Sequence, residues 1–170
     1  MKWHGNPTLY KQKFQLVSKI MKEDAPNVAM AWVPNSVPVH NIDEYYPGDQ
    51  WVDWIGVNLY NAPYFNGEAS QPAEYVNPLD LVEPIYQTYA DRKPIMIGEY
   101  GASHFTTVGN QDVTKFGTTK MNMFYHGLKM KYPRVKSLHH QIETGPEIRN
   151  NTNLCTRSLH FRTLESKSAI

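Results

Sequence analysis

The sequence predicts an α/β fold, with about four parallel strands and helices packed outside them. Three observations carry this prediction. Short runs rich in branched and long apolar residues recur at 28–33, 52–57, 95–98 and 135–138, and such runs read as strands of a parallel sheet, buried on both faces. Between them, at 78–90 and 113–132, and before the first of them, apolar residues return at helical spacing. An alternating order of this kind predicts a parallel sheet with right-handed crossovers. The third observation is length: 170 residues can bury one core, but fall short of the about 250 that a closed eight-stranded barrel typically takes.

The elements follow in order. Asn6-Pro7 opens a helix with a side-chain cap and a proline in the first turn. Leu9, Phe14, Val17, Ile20 and Met21 form its apolar stripe, and Asp24-Ala25-Pro26-Asn27 stops it. The strand at 28–33 ends at Pro34-Asn35, and a loop containing Tyr45-Tyr46-Pro47-Gly48-Asp49 follows. The strand at 52–57 runs into Asn58-Leu59-Tyr60-Asn61, then a long polar and aromatic loop reaches Asn77. The helix predicted over 78–90 packs through Leu79, Leu81, Val82, Ile85, Tyr86 and Tyr89; the one over 113–132 uses Phe116, Met121, Phe124, Tyr125 and Leu128. A last strand starts at Val135. From His139 the chain turns polar, with Glu143-Thr144-Gly145-Pro146 and Asn150-Asn151-Thr152-Asn153, and lacks an apolar period for another strand and helix. The expected division is a folded unit at 1–138 and a loosely ordered tail at 139–170.

Composition narrows the function classes. A net charge of +1 gives no reason to expect nucleic acid or an acidic membrane surface. No apolar run reaches membrane-spanning length, and Met1-Lys2-Trp3-His4 does not read as a signal peptide, which leaves localisation open. The single Cys155 excludes an internal disulfide. Aromatic residues, with 4 Trp and 11 Tyr, suit stacking on sugars or bases, although most such rings in any protein fill core.

The strongest candidate for chemistry is Glu99, in Lys93-Pro94-Ile95-Met96-Ile97-Gly98-Glu99-Tyr100-Gly101. A carboxylate held between glycines at the C-terminal end of a strand stands where barrel enzymes keep catalytic groups. The competing reading is a helix cap or a partner of a buried arginine. His139-His140 lack a third ligand at suitable spacing, so no metal is expected.

Several stretches then resemble one family in order and at plausible spacing. They are Trp3-His4-Gly5-Asn6-Pro7 before a helix; Asn27-Val28-Ala29-Met30-Ala31-Trp32-Val33-Pro34-Asn35; Tyr45-Tyr46-Pro47-Gly48-Asp49-Gln50-Trp51-Val52-Asp53-Trp54-Ile55-Gly56; Tyr60-Asn61; and the Glu99 turn. The chain resembles the C-terminal half of glycoside hydrolase family 26, the β-mannanase family of retaining glycosidases. The run at 45–56 is the most specific of these.

The resemblance implies a partial (β/α)8 TIM barrel holding the equivalents of strands five to eight. It implies a two-carboxylate reaction on β-mannan or a related β-glucan with no cofactor, and a secreted full-length parent. Glu99 matches the nucleophile. Tyr60 matches a tyrosine that hydrogen-bonds it, against the alternative of a rim tyrosine filling the barrel mouth. Trp3 matches an aromatic lining the sugar cleft. Asn61, like Asn58, can donate to sugar hydroxyls or form a turn, and His104 can reach the cleft. The family's acid/base precedes the position matching Trp3, so this chain is expected to lack it; Glu44, Glu68 and Glu143 read as solvated loop charges. An open half-barrel exposes two sheet edges and an apolar interior, which predicts self-association.

Overall fold

The computed structural model describes residues 5–141 and 156–160. Helix α1 (Pro7–Asp24) starts where the sequence places it, with the Asn6 carboxamide accepting from the Leu9 amide at 3.0 Å. Strand β1 (Ala31–Trp32) follows, then three single-turn 3-10 segments in place of a crossover helix. Next come β2 (Trp54–Asn61), α2 (Glu83–Tyr89), β3 (Ile95–Ala102) and a two-residue hairpin of β4 (Phe105–Thr106) and β5 (Gln111–Asp112). Helix α3 (Thr114–Lys131), β6 (Val135–Gln141) and β7 (Thr156–His160) complete the order. The main sheet runs β1-β2-β3-β6-β7; its first four strands are parallel, and β7 is antiparallel to β6. The chain is thus an open arc of four parallel strands with helices outside, a partial barrel.

The core lies between the sheet and its helices. Ile55, Val57 and Leu59 of β2, Ile95, Ile97 and Tyr100 of β3 and Leu138 of β6 face outward and are essentially fully buried against Ile85, Tyr89, Phe124 and Leu128. Each such aliphatic side chain contributes about 1.5–3 kcal/mol. The expectation of strands buried on both faces is corrected here. Along β3, Met96 and Gly98 alternate with Ile95 and Ile97 and are only half-buried.

Local departures have local causes. As the edge strand, β1 is ladder-paired only at Ala31 and Trp32, and Val28 stays 49% exposed. Residues 78–82 form turns, not helix: the Asn77 carboxamide accepts from the Leu79 amide, and Pro84 sits in the first turn of α2. In α1, Val17 and Ile20 face solvent while Tyr10 and Phe14 pack on the core. The tail prediction is corrected at 139–141, which extend β6, and at 156–160, which form β7 and cover the β6 edge. Backbone pairing needs no apolar period, which is why the polar sequence hid it. Residues 142–155 and 161–170 lie outside the described residues.

The family-like run at 45–56 builds the floor beneath the strands. Tyr46 packs on Trp32 and Tyr89 with ring centroids 5.0 and 4.8 Å apart. The Arg92 guanidinium lies over both tyrosines, at 5.5 and 5.1 Å, and pairs with Asp49 at 2.8 Å. Tyr46 donates to Asp49 and Tyr89 to Asp43. Burial raises the pKa of both phenols, and the Tyr46 hydroxyl holds the Asp49 carboxyl below its usual range. The Asp53 carboxylate accepts from the Met30 amide at 2.7 Å, tying the start of β2 to that of β1. In barrels this N-terminal end serves stability, and chemistry belongs to the other.

Candidate active site at the strand ends

Glu99 stands near the C-terminal end of β3, aimed to the concave side by a bulge. Along β2 and β3, Val57 pairs with Ile97 but Asn58 pairs with Glu99, so Gly98 is an extra residue without a register partner. Strict alternation would point Glu99 outward and Tyr100 inward. The bulge reverses this: Tyr100 is fully buried against Phe124, and Glu99 is half-exposed beside Gly98. Glycine is required at 98 by space. A Cβ there would lie 2.4 Å from Val33 Cγ1 and 2.5 Å from Asn58 Oδ1.

The next concave position along β2 supplies the partner. Tyr60 lies between the buried outward residues Leu59 and Asn61, is 48% exposed, and donates its hydroxyl to Glu99 Oε2. Asn58 points to the same side; its Oδ1 is buried with no hydrogen-bond partner, against Gly98. Helix α3 starts well beyond Glu99 and has the Asp112 carboxylate on its Thr114 amide. The ion pairs among the described residues join Arg92 to Asp49 and Lys131 to Glu83.

The other candidates divide. Asn61 is corrected: it is 2% exposed, donates to the Val76 carbonyl and accepts from the Tyr100 hydroxyl, so it faces the outer wall and not the cleft. Period-2 alternation on β2 puts 61 opposite in direction to 60. His104 is half-buried at the head of the β4–β5 hairpin, and its charge helps to depress the Asp112 carboxyl, whose main cause is the hydrogen bond from the Thr114 amide. Trp3 and Glu143 lie outside the described residues. Glu44 and Glu68 are exposed in loops.

The loop after β2 is more built than its composition implies. The Ala73 and Phe65 amides donate to the Pro63 and Gln71 carbonyls, folding it back on itself. Its return limb is held by Lys120 of α3, 6% exposed, whose ammonium donates to the Glu74 and Val76 carbonyls at 2.7 Å each. Burial lowers the Lys120 pKa, and Glu74 opposes the shift. No sequence signal marked this lysine, since a cation in a helix reads as surface. Phe65 and Tyr75 of this loop remain exposed at 44% and 78%. A separate groove of about 680 Å³ flanks β1, lined by Tyr10, Trp32, Val37, Ile42 and Tyr45 among others, and it includes neither Glu99 nor Tyr60. The described residues hold no cluster of three metal-ligating side chains, and no helix among them is long and apolar enough to cross a membrane.

The family model described as Glycosyl hydrolase family 26 matches residues 2–88, ending before β3 and Glu99. No curated protein matches the chain. Among solved structures, it is similar in fold to an engineered protein from a structural genomics consortium, at 16% identity and a TM-score of 0.50, over 74% of this chain and 28% of that one. An endo-β-1,4-mannanase of Cellulomonas fimi and its double mutant align at 18% identity, with TM-scores of 0.49 and 0.48, over 71% of this chain and 27% of theirs. The chain thus spans little more than a quarter of the length of the solved structures it matches.

Proposed function

The chain belongs to glycosyl hydrolase family 26, and from that premise we propose that it carries the nucleophile side of a retaining, β-mannanase-like active site, with Glu99 as the attacking carboxylate. The observation that carries the reading is the Tyr60 hydroxyl donating to Glu99 Oε2 on the concave side of the strand ends. A phenol donor there holds one carboxylate oxygen in place and leaves the other to approach an anomeric carbon. The substrate class is β-1,4-mannan or a related β-glucan, with the loop at 62–77 shaping the sugar subsites.

In a retaining reaction the nucleophile forms a glycosyl ester while a second carboxyl, about 5 Å away, protonates the leaving oxygen and then activates water. The 170 residues hold the nucleophile side, and the family's acid/base belongs to a strand before the position matching Trp3. General acid help commonly contributes about 10² to 10⁴ in rate. Polysaccharide hydrolysis by these residues alone is therefore expected to be slow, and turnover should appear first on an aryl β-mannoside with an activated phenol, which leaves without a proton. The test is the rate on that aryl glycoside with and without Glu99→Ala. Loss of turnover in the variant supports the assignment; equal rates overturn it. Brisk mannan hydrolysis by the purified chain would overturn the half-site reading and imply an acid such as Glu68 or Glu143.

A further inference from the structure

The Tyr60–Glu99 pair is backed by a second hydrogen-bonded pair on the other side of the sheet. Tyr60 is followed by Asn61, and Glu99 by Tyr100. In the register of β2 and β3, Asn58 lies beside Glu99, with Tyr60 two positions further on; Leu59 lies beside Tyr100, with Asn61 two positions further on. The Tyr60–Glu99 and Tyr100–Asn61 bonds therefore cross the same two strands on the same diagonal, one on the concave side and one in the outer wall. The Tyr100 hydroxyl lies 3.3 Å from Asn61 Oδ1 and 3.1 Å from the Lys120 carbonyl of α3. The Asn61 nitrogen donates to the Val76 carbonyl, which also accepts from the Lys120 ammonium. Both side chains are buried, and burial raises the Tyr100 pKa, so the phenol stays a donor.

We propose that Tyr100 and Asn61 are positioning residues, whose bond in the wall holds the bulged register that turns Glu99 and Tyr60 toward each other in the cleft. The catalytic consequence rests on Glu99 being the nucleophile. Successive strand residues point to opposite faces, so a side chain fixed outside at 61 or 100 fixes the direction of its neighbour at 60 or 99. A slip of β3 by one residue would turn Tyr100 inward and Glu99 outward. Tyr100 would then lose Asn61, the Lys120 carbonyl and its ring contact with Phe124, so all three favour the bulge. The missing side chain at Gly98 leaves room for that bulge, and the outer bond is made only within it. Through Val76, the same pair is tied to the return limb of the loop at 62–77.

The test has one readout free of activity and one within it. The first is the carbon-13 resonance of the Glu99 carboxyl, identified by its loss in Glu99→Gln. Tyr60→Phe removes the donor and sets the end point of the shift. Tyr100→Phe and Asn61→Ala should each move the resonance part of the way toward that end point. Ile85→Val, which thins the core on α2 and touches none of these bonds, should leave it in place. The second readout is turnover of the activated aryl glycoside: Tyr100→Phe should lower kcat about 5- to 10-fold with KM unchanged. Tyr60→Phe with Tyr100→Phe should lose no more than Tyr60→Phe alone, because both act through one bond. A Glu99 resonance unmoved in either wall variant, losses that multiply in the double variant, or equal effects from Ile85→Val overturn the proposal. Turnover that survives Glu99→Ala overturns the nucleophile reading instead, and the carboxyl resonance then decides the positioning role by itself.

Discussion

Gly98→Ala tests whether the bulge that aims Glu99 depends on a missing side chain. The new Cβ would lie 2.4 Å from Val33 Cγ1 and 2.5 Å from Asn58 Oδ1, well inside van der Waals contact. Val33 is half-buried and also crosses Gly56, where a Cβ would meet its two methyls at 2.7 and 2.8 Å. It therefore has no free side to turn into, and the strands must separate. Overpacking of this kind typically costs about 1–3 kcal/mol. For a chain of this size each kcal/mol moves Tm by about 2–4 °C, so the expected drop is about 2–12 °C. Urea titration and calorimetry of the single variants and of Val33→Ala with Gly98→Ala form a double-mutant cycle. Removing both Val33 methyls makes room for the alanine, so the double variant should be more stable than the sum of singles, with coupling of about 1 kcal/mol. An unchanged Tm in Gly98→Ala, or strictly additive singles, would refute the crowding argument.

Three further outcomes follow from the same geometry. Tyr60→Phe removes a neutral donor to a carboxylate, and hydrogen bonds to charged groups contribute about 1.5–3 kcal/mol; turnover of an activated aryl glycoside should fall about 10- to 100-fold with little change in Tm, measured by initial rates and calorimetry. Glu83 is bonded by Lys131, Tyr132 and Gln87, and the Lys131 ammonium is the first cause holding its pKa down from 4.5 to about 2. A carboxyl with a depressed folded pKa stabilises above its unfolded value, so this contribution is present above pH 4.5 and is lost as pH falls toward about 2; Glu83→Gln should flatten the decline of urea stability over that window. Lys120→Met leaves the Glu74 and Val76 carbonyls without their cation, and amide hydrogen exchange should speed up across 73–77 while β2 and β3 keep their protection.

The parts of the fold that were legible in the sequence are those where one residue type does one local job. Asn6-Pro7 opened α1 as read, because a capping carboxamide and a fixed φ act within one turn. The apolar runs located the four parallel strands for the same reason. What stayed hidden depends on partners distant in sequence. The run Ile95 to Ile97 cannot reveal that Met96, between the two, is only half-buried. Nothing local distinguishes Asn58, which faces the cleft, from Asn61, which is bonded into the wall; only the register decides. The β7 strand pairs antiparallel with β6, a long-range backbone register that no local pattern announces. Glu99 and Tyr60 were singled out from strand-end position and family pattern, and the fold brings the two side chains together, whereas the Asn58 oxygen against Gly98 and the Lys120 tether needed the folded chain. The most family-specific stretch, 45–56, proved to be floor: its tyrosines and aspartates lock loops beneath the strands, at the end opposite Glu99.

Covalent capture isolates the nucleophilic role proposed for Glu99. A 2-deoxy-2-fluoro-β-mannosyl fluoride reacts at the nucleophile without acid help, because fluoride departs unprotonated, and its ester hydrolyses slowly. Peptide mass spectrometry of the treated chain should place one fluorosugar on the peptide containing Glu99, with none in Glu99→Ala. A label on Glu68, Glu74 or another carboxylate, or no label under conditions in which the folded protein is intact, would contradict it.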